Sequence, residues 1–155
     1  MATTETARPH LPDLETPRPS AVRRALEIVS DPWTFAILQE AFFGVRRFEQ
    51  LQAQLGISRG ILSKRLANLV ENGILERVRY QRRPDRFEYP LTDRGRALYP
   101  VFVAMLRWGE DWLDDRDDAS TLQLVHESCG ERSRPLMSCD ACGEPIRADE
   151  MTYRR

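Results

Sequence analysis

The side chains best suited to metal chemistry gather near one end of this 155-residue chain. His126, Cys129, Cys139 and Cys142 follow the pattern His-x2-Cys-x9-Cys-x2-Cys, and the sequence holds no other cysteine. A glycine follows the second member of each pair (Gly130 and Gly143), which lets backbone amides turn toward the thiolates. Four soft or borderline ligands in two pairs suit a closed tetrahedral Zn²⁺ site. The segment around them has few large apolar side chains, so metal is expected to supply its folding energy. No open coordination position or nearby general base is visible, so the zinc is expected to be structural, in a small zinc-ribbon-like appendage. Two other readings of the cysteines stand beside this one. A redox-active Cys139-x-x-Cys142 normally opens a helix, whereas Gly143, Glu144 and Pro145 follow here. The remaining alternative is idle thiols on a loose tail.

A second group of side chains has the character of a nucleic-acid surface. Phe48, Leu51 and Leu55 have the spacing of a short amphipathic helix. Gly56-Ile57-Ser58 then supplies a glycine able to close that helix and a serine able to cap the next. The next helix keeps Ile61, Leu62, Leu66, Leu69 and Val70 on one side. Arg59, Gly60, Ser63, Lys64, Ala67 and Asn68 fall on the other. Two short helices joined by a tight turn, the second with a small, polar and basic outer face, make a helix-turn-helix whose second helix can enter a DNA major groove. Ser58, Arg59, Ser63, Lys64, Ala67 and Asn68 are the expected contacts on that face.

A third group is arginine-rich. After the break at Asn72-Gly73, residues 74–80 alternate as a strand, 81–86 form a polar turn, and 87–91 return. This hairpin reads as a wing. Arg82, Arg83 and Arg86 are expected at its tip and Arg79 near its base, placed for phosphate or the minor groove.

The remaining elements must hold these parts. Val22, Leu26 and Val29 mark a first helix, and Asp31-Pro32 is a capping signal for a second, strongly apolar helix ending near Gly44. Its aromatic cluster is read as core. Thr92-Asp93 is expected to cap a long helix over 95–115 whose apolar surface exceeds the needs of one subunit, so a homodimer is expected. Residues 1–19, proline- and threonine-rich without periodicity, read as a disordered arm in which His10 has no assigned role.

The net charge of −1 conceals a division. Residues 21–108 hold 15 Lys+Arg against 9 Asp+Glu, and residues 109–155 hold 6 against 12. Only the first block is suited to a polyanion. No apolar run reaches the ~18 residues of a membrane span, and no apolar signal core opens the chain, so no membrane partner and a cytoplasmic location are expected. No nucleophile–base pair supports an enzyme.

Collinear pieces of residues 20–114 resemble the HxlR-type winged-helix transcriptional regulators, relatives of the MarR group. They include Trp33-Thr34, Arg47-Phe48-Glu49-Gln50-Leu51, Leu62-Ser63-Lys64-Arg65-Leu66 and Asn72-Gly73-Ile74-Leu75-Glu76-Arg77. Ala25-Leu26, Ile57-Ser58, Leu69, Pro84-Asp85-Arg86-Phe87-Glu88-Tyr89, Leu91-Thr92-Asp93-Arg94-Gly95 and Trp108-Gly109 complete the set. The resemblance implies a homodimeric DNA-binding regulator with the dimer built from the first and last helices. Several members carry a cysteine at the start of the first helix, linked to thiol sensing. Ser20 stands there, so redox control through that position is not expected.

The fold class expected is mainly α (α+β), a winged helix-turn-helix with a long C-terminal dimerisation helix and a zinc-ribbon-like tail. The domains expected are an arm over 1–19, the DNA-binding and dimerisation domain over 20–115, a linker over 116–121 and the tail over 122–155. The function expected is a sequence-specific, double-stranded-DNA-binding transcriptional regulator. The alternative is a winged-helix protein-interaction module that recruits a partner without binding DNA. The sequence identifies no small-molecule effector.

Overall fold

The computed structural model describes residues 20–113 and 123–151. The arm expected over 1–19 and the linker over 116–121 lie outside the described residues. The chain divides into two compact units, with the first spanning Ser20–Arg116 and the C-terminal segment belonging to the second.

The first unit is mainly helical. Ser20 caps α1 (Ala21–Val29) by accepting the Arg23 amide at 3.2 Å. Asp31 caps α2 (Pro32–Phe42) through the Thr34 amide at 3.1 Å, with Pro32 where its missing N–H costs nothing. Gly56, at φ 62°, closes α3 (Phe48–Leu55), a left-handed conformation that a side chain would oppose. Ser58 then accepts the Ile61 amide at 3.3 Å and opens α4 (Arg59–Glu71). Leu62, Leu66 and Leu69 recur on one stripe of α4 and are fully buried against Ile37 and Leu38 of α2 and Leu51 of α3. Ile61 was expected on this stripe, but it stays 40% exposed at the helix edge.

The wing differs in register from the alternation in the sequence. β1 is Val78–Arg82 and β2 is Asp85–Glu88, so most of the expected polar turn is paired strand. Arg82 lies opposite Asp85, and Gln81 opposite Arg86, leaving Arg83-Pro84 as the turn. Proline lacks an N–H and takes the position where no ladder bond is lost. The Gln81 side chain closes the turn on the Arg83 carbonyl at 2.9 Å. Tyr80 is the extra residue of a bulge between Arg79 and Gln81. Arg47 bridges to Glu88, and the Tyr89 amide bonds the Arg46 carbonyl at 2.8 Å, giving the wing a short third edge ahead of α3.

The expected long helix is broken. Thr92 caps a single turn, α5 (Asp93–Arg96), and α6 runs from Tyr99 to Trp112. Pro100 sits in the first turn of α6, where its ring would clash with the carbonyl four residues earlier in a continuous helix. Phe102 and Val103 anchor α6. The Phe102 ring lies 5.3 Å from Phe42 and 6.4 Å from Phe35, so these two rings pack as core, whereas Trp33 and Phe43 of the same expected cluster are 40% and 45% exposed.

The second unit contains a short hairpin, β3 (Val125–His126) with β4 (Glu131–Arg132), then a bridge between Ser138 and Pro145 and one 3₁₀ turn over Ala148–Glu150. None of the described residues from 123 to 151 is buried.

Candidate nucleic-acid interface and cysteine knuckles

α4 owes its orientation to its buried stripe. With Leu62, Leu66 and Leu69 facing inward, Arg59, Ser63, Lys64 and Ala67 are exposed on the outer surface, and Asn68 is half-buried at its edge. Ser58 is also exposed, but its hydroxyl is already engaged as the helix cap. A second restraint on α4 comes from Arg65, whose guanidinium meets the Asp31 carboxylate at 2.6 Å. One carboxylate therefore caps α2 and holds the helix carrying the polar face.

Beside α4 stands the wing. Arg82 is exposed next to the turn and Arg83 within it, and Arg86 is exposed one register step back. Arg79 points to an intramolecular partner, Asp85, at 3.6 Å. The ten nominated positions thus lie on two elements, with Arg79 the most compensated of the cations.

Two cations that the sequence reading passed over also belong to this region. The Arg77 guanidinium lies 3.6 Å above the centre of the Phe87 ring, and that of Arg47 lies 4.7 Å above Tyr80. Arg59 is held in the same way, 4.8 Å above Phe48. Arg79 faces Phe87 across the ladder, which makes Arg77 its diagonal neighbour, within reach of an aromatic ring. Only the true strand register reveals that relation.

In the second unit the four expected ligands form two separate turns. The amides of Cys129 and Gly130 both bond the His126 carbonyl, at 3.2 and 2.8 Å, and the Cys129 sulfur lies 3.5 Å from His126 Nδ1. Gly143 returns its amide to the Cys139 carbonyl at 2.8 Å, while the Cys139 amide bonds the Glu144 carbonyl. Gly130 and Gly143 take φ of 72° and 77°, as a tight knuckle requires. The Cys142 amide, then the Ala141 amide and the Cys142 thiol, hold the Cys139 thiol below its ordinary pKa. Each half therefore has the local form of a thiolate-binding knuckle. Among the described residues, however, no three His, Cys, Asp or Glu side chains gather as a metal site.

Two capped helices at a tight turn, a hairpin wing bridged at its edge by Arg47 and a following apolar helix define a winged helix-turn-helix. The chain belongs to the HxlR-like helix-turn-helix family, which matches residues 28–117. The uncharacterised HTH-type transcriptional regulator Mb3122 of Mycobacterium bovis is 48% identical over 132 residues, covering 85% of this chain and 83% of its own. Another such regulator, sll1512 of Synechocystis, is 38% identical over 104 residues, covering 66% of this chain and 77% of its own. Among solved structures, PA1607, a candidate transcription factor, superposes with a TM-score of 0.77 at 36% identity, over 88% of this chain and 95% of its own. A MarR-family regulator from Enterococcus faecalis V583 gives a TM-score of 0.55 at 29% identity, over 66% of this chain and 94% of its own. Among the described residues, no helix is long and apolar enough to cross a membrane.

Proposed function

We propose that this transcriptional regulator reads specific sequences in double-stranded DNA as a homodimer, and that one structural zinc ion organises its C-terminal segment. The observation that carries the DNA reading is the division of α4. Its leucine stripe is locked into the core, which leaves Arg59, Ser63, Lys64 and Ala67 on a face small enough to enter a major groove. Electrophoretic shift of a labelled duplex across a salt series tests it. Affinity should fall steeply with salt, because each neutralised phosphate releases counterions. A flat response would favour the protein-interaction module instead.

The homodimer rests on apolar surface that one subunit leaves uncovered. Trp33, Trp108 and Trp112 are 40%, 57% and 74% exposed, and Val22 and Leu26 of α1 and Val101 and Met105 of α6 are likewise open. Exposed indole and aliphatic surface on this scale marks an interface. A two-fold dimer would present its two α4 helices to half-sites about 10 base pairs apart centre to centre. Sedimentation should give twice the chain mass, and a monomer at micromolar concentration would refute the arrangement.

The zinc reading rests on two knuckles in a segment with no buried side chain among its described residues. His126, Cys129, Cys139 and Cys142 would hold the ion, which supplies a cross-link where a hydrophobic core is lacking. Protein isolated from zinc-replete cells should carry one zinc per chain by elemental analysis. Metal-free protein with a folded tail would exclude it.

A further inference from the structure

Between α4 and the wing lies a groove of about 290 Å³, with Arg59 and Ser63 on the helix side and Arg77, Arg86 and Phe87 on the wing side. Its charge is uneven. Asp85 also lines it but is engaged by Arg79 at 3.6 Å, leaving Glu49 to face three guanidinium groups. Arg59 and Arg77 form no ion pair among the described residues, and each carries its guanidinium carbon over an aromatic ring, 4.8 Å from the centre of Phe48 and 3.6 Å from that of Phe87. A guanidinium laid on a ring keeps its plane and loses little freedom when it binds, while its N–H edge stays available. Arg77 and Ser63 also border the neighbouring groove along α4, beside Ala67, so Arg77 shares two grooves with that helix.

We propose that this groove seats one backbone phosphate of bound duplex DNA, gripped by Arg59 from the recognition helix and Arg77 from the wing, with the Ser63 hydroxyl as a further donor. The proposal rests on the DNA-binding reading and adds to it. Two rigid forks facing each other across a small polar groove match the oxygens of a phosphodiester better than a base edge, which a flat site would read. Held on both sides, that phosphate fixes the depth and angle at which α4 enters the groove. Arg77 is thus a positioning contact as well as a counter-charge. Arg79, nominated from the sequence, is the weaker candidate because one of its nitrogens already faces the Asp85 carboxylate at 3.6 Å.

The test uses the full-length protein and a duplex selected by it from a random pool. Single methylphosphonate linkages, which remove one phosphate charge, are then scanned along both strands. Wild-type protein should lose about 10-fold or more in affinity at one linkage per half-site, and its salt slope should be steeper than that of Arg77→Ala by about 0.9 for each such phosphate. In Arg77→Ala the same linkage should cost several-fold less, since Arg59 alone then faces that phosphate. Arg77→Lys, which keeps the charge but not the fork, should retain the slope and recover only part of the affinity. Phe87→Leu should weaken binding several-fold with the slope unchanged, because it removes the platform and not the charge. Thermal melts of each variant separate a folding defect from a contact. Absence of salt-dependent duplex binding by wild type would defeat the DNA reading itself. If wild type binds and Arg77→Ala keeps both the full slope and the full methylphosphonate penalty, the phosphate seat is wrong and the DNA reading stands.

Discussion

Gly95→Ala should destabilise the winged-helix unit, although Gly95 lies in a helical turn where alanine is intrinsically preferred. In an exposed helix interior the exchange gains up to about 1 kcal/mol. Here an added Cβ would fall well inside van der Waals contact of the Ile74 carbonyl oxygen and 2.9 Å from Leu91 Cδ2. The obstacle is backbone, so α5 must move away from residues 73–75 as a body. That motion breaks the hydrogen bonds by which Thr92 ties the two segments. Its hydroxyl donates to the Gly73 carbonyl at 2.6 Å, and its amide donates to the Ile74 carbonyl at 3.0 Å. Two such bonds are worth about 1 kcal/mol each, and overpacking a filled contact adds about 1–3 kcal/mol. After the propensity gain is subtracted, the net loss is about 2–4 kcal/mol. For a unit of this size that corresponds to a melting temperature roughly 10–25 °C lower. Gly60→Ala provides the control, since nothing lies within 4 Å of its added Cβ and its φ is unstrained, so stability should hold or rise slightly. Near-UV circular dichroism melts at fixed protein concentration measure both. A Gly95→Ala protein that melts with wild type would refute the reasoning.

Other expectations concern the remaining parts. Asp31→Asn should keep the cap on α2 but lose the ion pair to Arg65, costing about 1 kcal/mol, while Asp31→Ala should lose both and cost about 2 kcal/mol. Equal melting temperatures for the two variants would show that the pair contributes nothing. Trp108→Glu should yield monomer on sedimentation and weaken DNA binding, because a charge replaces an indole that is 57% exposed on the single chain. Retention of a full-strength dimer would place the interface elsewhere. Cys142→Ser should release the proposed zinc and unfold the C-terminal segment, read as lost amide protection over 123–151. The winged-helix unit, with its own core, should stay folded and still bind DNA.

Features decided by neighbours along the chain were legible in the sequence. Asp31, Ser58 and Thr92 each cap a helix because a short oxygen reaches an amide three residues on. Gly56 closes α3 because only its own φ must be left-handed. The leucine stripe of α4, and therefore its outward face, follows from 3.6-residue periodicity alone. Pro100 was in view, and its break in the last helix is the same kind of local effect, so the continuous helix expected there overlooked a readable signal.

Other features depended on partners distant in sequence. Alternation over 74–91 could show that a hairpin exists but not its register, because both flanking segments are polar enough to slide. The register was decided by satisfaction of the ladder around Arg83-Pro84, and with it came Arg77 on Phe87 and the bulge at Tyr80. The third edge at Arg47, the Arg65–Asp31 pair and the intolerance at Gly95 likewise arise where one segment lies against another. Trp33 looked like core in an apolar helix, yet tertiary packing turned Ile37 and Leu38 inward and left it at the surface. Periodicity tells which residues share a face, and only packing decides which face has a neighbour.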